Sequence, residues 1–148
     1  MLIAIHQPNY LPNLGFFYKM AHCDRFVIIT NVQFSKRDGW VRRHNIKGAK
    51  KDQWLTVPVH GSARTQRIKD IQIDTLHNWQ HKHCKSLWHA YAKSAERTAL
   101  EQVMAIYQRP WERLVDLNVA LIQCMMEILS IETEMIVDEE VTGEKQWM

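Results

Sequence analysis

Leu2-Ile3-Ala4-Ile5-His6-Gln7-Pro8-Asn9-Tyr10-Leu11-Pro12 is the stretch whose reading decides the fold class. Its first four residues form a continuous apolar run, the pattern of a short strand buried on both faces. His6 to Pro12 then breaks the run with polar residues and proline. Proline suits a first helical turn, where its missing N–H is not needed, so a helix is predicted from near Pro12 to His22. Arg25-Phe26-Val27-Ile28-Ile29-Thr30 reads as a second buried strand. Strand, helix, strand in so short a span is the start of a βαβ unit, which implies parallel pairing through a right-handed crossover.

Working outward, a basic loop follows, with Gly39 and Gly48 as its clearest breakers. Trp54-Leu55-Thr56-Val57-Pro58-Val59 predicts a third strand, with Pro58 at a strand end or an edge because it lacks a ladder donor. Ile68 to Ile73 alternates like a half-exposed strand. From Thr75 the period becomes helical, with Asp74 or Thr75 as N-cap and Cys84, Leu87, Trp88, Tyr91, Ala92 and Ala95 as the apolar stripe. Leu100, Val103, Met104 and Tyr107 mark a second helix. Pro110 opens a third, striped by Trp111, Leu114, Val115, Leu121, Ile122, Met125 and Leu129, and Met135-Ile136-Val137 reads as a last short strand. The expectation is one domain over residues 1–148: an α/β fold with a mainly parallel sheet flanked by helices. Residues 1–73 form a strand-rich ligand-site half, and 74–148 a mainly helical C-terminal half.

Composition agrees with a globular fold. The chain has 148 residues, 46% hydrophobic and 24% charged, enough for one core. No apolar run reaches the roughly eighteen residues of a membrane span, and the N-terminus lacks the basic start of a secretory signal. Cys23, Cys84 and Cys124 are an odd, widely spaced set, which predicts reduced thiols and a cytoplasmic location. The net charge is only +3, yet Lys36, Arg37, Arg42, Arg43, Lys47, Lys50 and Lys51 crowd one stretch. Glu132, Glu134, Asp138, Glu139, Glu140 and Glu144 crowd the end, without metal-ligand spacing. A localised basic segment suggests a localised anionic partner.

Three constellations could carry chemistry. His6, Gln7, Asn9 and Tyr10 stand at the carboxyl end of a parallel strand and before a helix N-terminus, where open α/β sheets bind anions. There His6 could shuttle a proton or donate to phosphate, while Gln7, Asn9 and Tyr10 orient substrate; the plain alternative is a rigid turn with locally satisfied polar groups. Lys36, Arg37, Arg43 and Lys47 around Trp40 suit a small anionic or nucleotide-activated ligand, since guanidinium forks grip phosphate and an indole stacks on a ring. Single-stranded nucleic acid is a rival partner, and a solvated charged loop is the plain reading. His77, His81 and Cys84 share a helical face, but Cys84 continues a core stripe, so no metal site is predicted. Asn118 interrupts an apolar stripe, and a buried amide needs partners, so it reads as a loop anchor. No cofactor is specified.

Ile5-His6-Gln7-Pro8-Asn9-Tyr10-Leu11-Pro12, Leu14-Gly15-Phe16-Phe17, Val32-Gln33-Phe34-Ser35-Lys36-Arg37, Trp40 with Arg43, Ile46-Lys47 and Trp54-Leu55-Thr56-Val57-Pro58-Val59 together resemble the WbqC-like family. Weaker echoes run through Trp79, His83 and Tyr91 to Trp111 and Leu117-Asn118. That family is found among bacterial surface-polysaccharide (O-antigen) genes. Asn13 stands where the family usually carries tryptophan, and Thr30-Asn31 where it usually has an acidic pair. Members usually continue past the stretch matching Gly143-Glu144-Lys145, so the resemblance implies a short, C-terminally truncated member. The family is generally without an assigned reaction; with the constellations above, the leading expectation is a transferase or ligase acting on a nucleotide-activated sugar or acyl group in lipopolysaccharide biosynthesis, with His6 at the chemistry. The alternative is a non-catalytic binding subunit or shortened remnant with a protein partner.

Overall fold

The computed structural model describes residues 1–35, 39–48, 50–61 and 65–138. The expected opening unit forms: β1 (Ile3–His6), α1 (Leu14–Ala21) and β2 (Arg25–Ile29), with β2 also pairing with β5 (Glu134–Asp138). Both pairings are parallel, in the order β1-β2-β5. The rows run Ala4–Phe26–Met135 and Ile5–Val27–Ile136 across the sheet. Side chains alternate between faces along a strand, so the first row points to one side and the second to the other.

The two sides differ. On one, Ala4, Phe26 and Ile28 pack with Phe16, Phe17 and Met20 of α1 and with Ile122. Burying each large side chain contributes roughly 1.5–3 kcal/mol. On the other, Ile3, Ile5 and Ile136 are 38%, 43% and 37% exposed. The expectation that β1 is buried on both faces is therefore corrected: on that side the central Val27 is buried, while the β1 residues Ile3 and Ile5 remain open.

Between β2 and β5 the chain forms a second sheet and three helices. β3 (Arg43–Ile46) and β4 (Gln53–Thr56) make an antiparallel hairpin, pairing His44 with Leu55 and Asn45 with Trp54. β3 lies within the stretch read as a loop. Only Ile46 in it is buried, so its strand character comes from β4 and not from its own apolar pattern. β4 is shorter than the predicted strand and ends at Thr56.

Ile68 to Ile73 is not a half-exposed strand. It is a 3₁₀ turn, Ile68–Asp70, followed by isolated bridges. Ile68, Ile71 and Ile73 are all buried. Their backbone partners lie just before the last helix: Leu114 N–H donates to Ile71 and Ile73 N–H to Glu112.

Helices α2 (Trp79–Tyr91), α3 (Arg97–Ile106) and α4 (Leu114–Ile128) follow. α2 starts later than the expected cap, at N-cap Asn78, and ends at Tyr91, short of Ala95; α4 is opened not by Pro110 but by Arg113 as N-cap, which leaves Trp111 ahead of the helix. Asp74 instead closes a local turn onto Leu76 N–H at 3.0 Å. α4 carries Leu114, Leu117 and Leu121 into the helical core, while Ile122 belongs to the core under the sheet. None of the described helices is long and apolar enough to cross a membrane.

Candidate functional site

His6 closes β1, and Asn13 opens α1: its side-chain oxygen accepts from Phe16 N–H at 3.1 Å. That satisfies one of the orphan donors every helix start leaves. The cap is Asn13, not Pro12. The first turn of α1 carries no acidic residue, so its positive dipole end is not neutralised from within the turn.

The His6 ring packs edge-on against Phe16, with ring centres 4.9 Å apart, and lies 6.5 Å from Phe26. Its Nδ1 lies 2.9 Å from the Gln7 carbonyl. A carbonyl only accepts, so Nδ1 carries the proton in that bond. In the neutral ring Nε2 is then the acceptor, the state a general base requires.

The basic stretch meets this loop through its backbone. Tyr10 N–H donates to the Trp40 carbonyl at 2.8 Å. Asn118, fully buried on α4, donates its amide to Pro8 at 2.8 Å and to Val41 at 2.6 Å. Residues far apart in sequence are thus fastened as one unit by a single amide, the anchoring role expected for Asn118.

Gly39 makes the turn possible. It holds φ +49°, and a β-carbon there would lie 2.3 Å from Arg43 Nε. Only glycine lets the Arg43 side chain cross so closely. The guanidinium then sits 4.7 Å from the centre of the Trp54 ring, a cation–π arrangement. Trp40 and Trp54 lie 5.8 Å apart at 48°, and are 44% and 49% exposed. Trp54 is a candidate site residue, placed beside Trp40 and Arg43, that sequence reasoning missed because it was absorbed into a strand. The available signal was strand alternation: with Leu55 inside, Trp54 must face out.

Other expected residues are placed as follows. Lys47 is exposed, and its N–H donates to the Tyr91 hydroxyl at 3.2 Å. Arg42 is half-buried, and burial followed by the neighbouring Arg43 charge lowers its pKa. Gln7 and Asn9 are half-buried, and Asn9 Oδ1 has no partner among the described residues. Lys36 and Arg37 lie outside the described residues.

Tyr10 stands apart. It is 0% exposed, and its hydroxyl meets His83 Nδ1 at 2.7 Å and the Tyr107 hydroxyl. Burial, then the neighbouring Tyr107, raises the Tyr10 pKa, and burial raises that of Tyr107. Burial pushes His83 down to about 4, against a hydrogen bond that its ring donates to the Thr56 backbone carbonyl, which favours the charged form. Neutral groups therefore fill this cluster, and in this structure Tyr10 serves the core.

His77 and His81 are exposed while Cys84 is buried, its Sγ 4.0 Å from the Met104 carbonyl. Among the described residues no group of three or more His, Cys, Asp or Glu side chains is placed to hold a metal. At the carboxyl edge of the parallel sheet, Thr30 is fully buried and donates to the Asp138 carbonyl at 2.7 Å. Asn31 accepts from Arg67 at 2.6 Å. Asp138 Oδ2 is buried without a hydrogen-bond partner among the described residues. It stands two strands from His6, roughly 10 Å away by strand spacing.

With this geometry in view, residues 7–148 match the WbqC-like protein family. The chain is also 34% identical over 136 residues to "Uncharacterized protein Rv1507c" of Mycobacterium tuberculosis, a match covering 90% of this chain and 58% of that protein. The chain thus spans little more than half the length of this relative. No solved structure matches it.

Proposed function

The chain belongs to the WbqC-like protein family, and on that premise we propose that it is a transferase or ligase. Its substrate is a nucleotide-activated sugar or acyl group, of the kind surface-polysaccharide biosynthesis uses, bound where the His6–Pro12 loop meets the Gly39–Lys47 turn and strand. The observation that carries the reading is the Asn118 clasp, which fastens Pro8 and Val41 together. It brings a strand-end histidine loop and an arginine–tryptophan surface into one unit.

Each residue has a role. His6 Nε2 accepts the proton of the attacking hydroxyl or amine as the new bond to the transferred group forms. The phosphate-bearing leaving group departs toward Arg43 and Lys47, with Lys36 and Arg37 assigned to the same task. Cations placed where negative charge develops accelerate such transfers. Gln7 and Asn9 orient the acceptor, and Trp40 with Trp54 stacks on a sugar or base.

The test is a thermal-shift panel of ATP, CTP, UDP-sugars, dTDP-sugars and CoA thioesters, with and without magnesium. A ligand at a hundred times its Kd stabilises by about 2.7 kcal/mol, so binding is read without assuming a reaction. The expected hit weakens at least tenfold in His6→Ala or Arg43→Ala. Unchanged binding and turnover in both variants would overturn the reading.

One observation favours a second reading, a binding subunit with a protein partner. A parallel sheet is ordinarily covered on both faces, yet Ile3, Ile5 and Ile136 are exposed. If a partner seats there, sedimentation with a longer member of the family shows a complex that Ile5→Glu abolishes. No complex, or one indifferent to Ile5→Glu, removes this reading.

A further inference from the structure

The junction between the His6–Pro12 loop and the hairpin holds three buried polar atoms with no hydrogen-bond partner among the described residues: Asn9 Oδ1, Arg42 Nε and Asn118 Oδ1. Asn118 ties them to one place. It is fully buried and donates to the carbonyls of Pro8 and Val41, the residues that immediately precede Asn9 and Arg42. Buried polar groups in folded proteins are nearly always paired, so a donor and two acceptors left open at one junction call for an occupant.

Arg42 sets the sign of that occupant's charge. Its backbone is fixed on both sides: its N–H donates to Gly39 at 3.1 Å, and its carbonyl accepts from Val57 N–H at 2.7 Å. The Val57 bond carries the hairpin ladder one residue past β3. Alternation then turns Arg42 to the face of His44 and Ile46, and Arg43 to the face of Trp54. The Arg42 face is the one opposed to the opening loop, since His44 and Ile46 share a cleft with Leu11 and Pro12. Arg42 takes part in no ion pair among the described residues; the paired arginines there are Arg25, Arg97 and Arg113. Burial and the adjacent Arg43 both work against its charge. A half-buried guanidinium without counter-charge is costly to keep in a fold, and its planar fork suits an oxyanion.

We propose that Arg42 is a phosphate-binding residue of the site, and that the occupant of the junction is a phosphate ester carrying hydroxyl groups. Phosphate oxygens accept from the Arg42 guanidinium, and a hydroxyl donates to the open amide oxygens of Asn9 and Asn118. The inference rests on the transfer reading above and narrows its substrate to a glycosyl phosphate, because a simple acyl phosphate brings no hydroxyl.

The experiment is calorimetric titration of the full chain with glucose-1-phosphate, methyl phosphate and acetyl phosphate. Glucose-1-phosphate is expected to bind at least tenfold more tightly than the other two. Arg42→Gln weakens it at least tenfold, whereas Lys85→Gln, which removes an exposed charge on α2, changes it less than twofold. Asn9→Ala removes most of the preference for glucose-1-phosphate over methyl phosphate. Arg42→Met adds a readout that a structural arginine would not give. Without ligand its Tm is expected to hold or rise, because an unpaired charge has left the interior, while the Tm rise with glucose-1-phosphate disappears. No binding of any ester, equal affinity for all three, or equal losses in Arg42→Gln and Lys85→Gln overturns the proposal. So does a fall in Tm of about 5 °C or more in ligand-free Arg42→Met.

The two proposals fail separately. Should glucose-1-phosphate bind through Arg42 while His6→Ala and Arg43→Ala leave binding and turnover unchanged, the phosphate site stands and the transfer reading falls. Should an activated ligand bind through His6 and Arg43 but stay indifferent to Arg42→Gln, the Arg42 assignment falls and the transfer reading stands.

Discussion

Asn118 and His83 show how much of this molecule depends on single buried polar groups. Asn118 satisfies two backbone carbonyls that no helix or strand ladder serves. Its loss leaves both without that partner, and an unsatisfied buried acceptor costs about 1–3 kcal/mol. Asn118→Ala is therefore expected to lower unfolding free energy by about 2–4 kcal/mol in urea titrations, and to weaken any ligand held at the loop. A change within about 0.5 kcal/mol would mean that the clasp is dispensable. His83 is neutral in the fold, held down to about 4 by burial, whereas the unfolded chain titrates near 6.5. Between those values the unfolded state binds more protons, so stability is full above pH 6.5 and falls as pH drops toward 4. The contribution is on the order of 3 kcal/mol. His83→Gln keeps a polar partner for Tyr10 but cannot titrate in this range, and is expected to flatten that segment of the stability–pH curve. An unaltered slope would assign the acid sensitivity elsewhere. A buried amide needing partners was legible in the sequence. Which carbonyls it meets, and that Tyr10 turns inward to His83, were not, because those partners lie 73 to 110 residues away.

At the scale of elements, the helix bodies were legible in their apolar period, while their starts were not: the N-caps are Asn13, Asn78 and Arg113. α4 closes with Ser130 at φ +53°, where Ser130 N–H donates to Glu127 at 3.1 Å and Ile131 N–H to Met126 at 2.9 Å. This is a Schellman closure with serine in the position glycine prefers. Ser130→Gly relieves the left-handed strain and is expected to stabilise by roughly 0.5–1 kcal/mol, read as a rise in Tm. A fall in Tm would show that the serine side chain contributes more than the strain costs. Among strands, β2 and β5 were legible because apolar runs of that length have few alternatives. β3 was not: Arg43-His44-Asn45-Ile46 has one buried residue, and its pairing with β4 supplies the backbone bonds. The Ile68–Ile73 segment misled for the opposite reason. Its isoleucines suggest strand alternation, but three buried isoleucines and bonds to the residues before α4 favour a turn.

For the whole molecule, the consequential element is α4. Leu114, Leu117 and Leu121 pack in the helical core and Ile122 in the core beneath the sheet, so one rigid helix joins the two. The expected outcome is a single cooperative transition. Far-UV circular dichroism, which sees both halves, and tryptophan fluorescence, dominated by Trp40, Trp54, Trp79, Trp88 and Trp111 around the hairpin and helices, should give coincident denaturation curves. Separated midpoints would show that the sheet and the helical core unfold independently. The sequence by itself determined the strand–helix–strand opening, the last strand and the three helices, since each is written in local periodicity. Only the tertiary structure decided which side of the sheet is covered, that Trp54 joins Trp40 and Arg43, and that Tyr10 belongs to the core. Those outcomes depend on contacts between distant residues, and local pattern carries no record of which buried donor meets which acceptor.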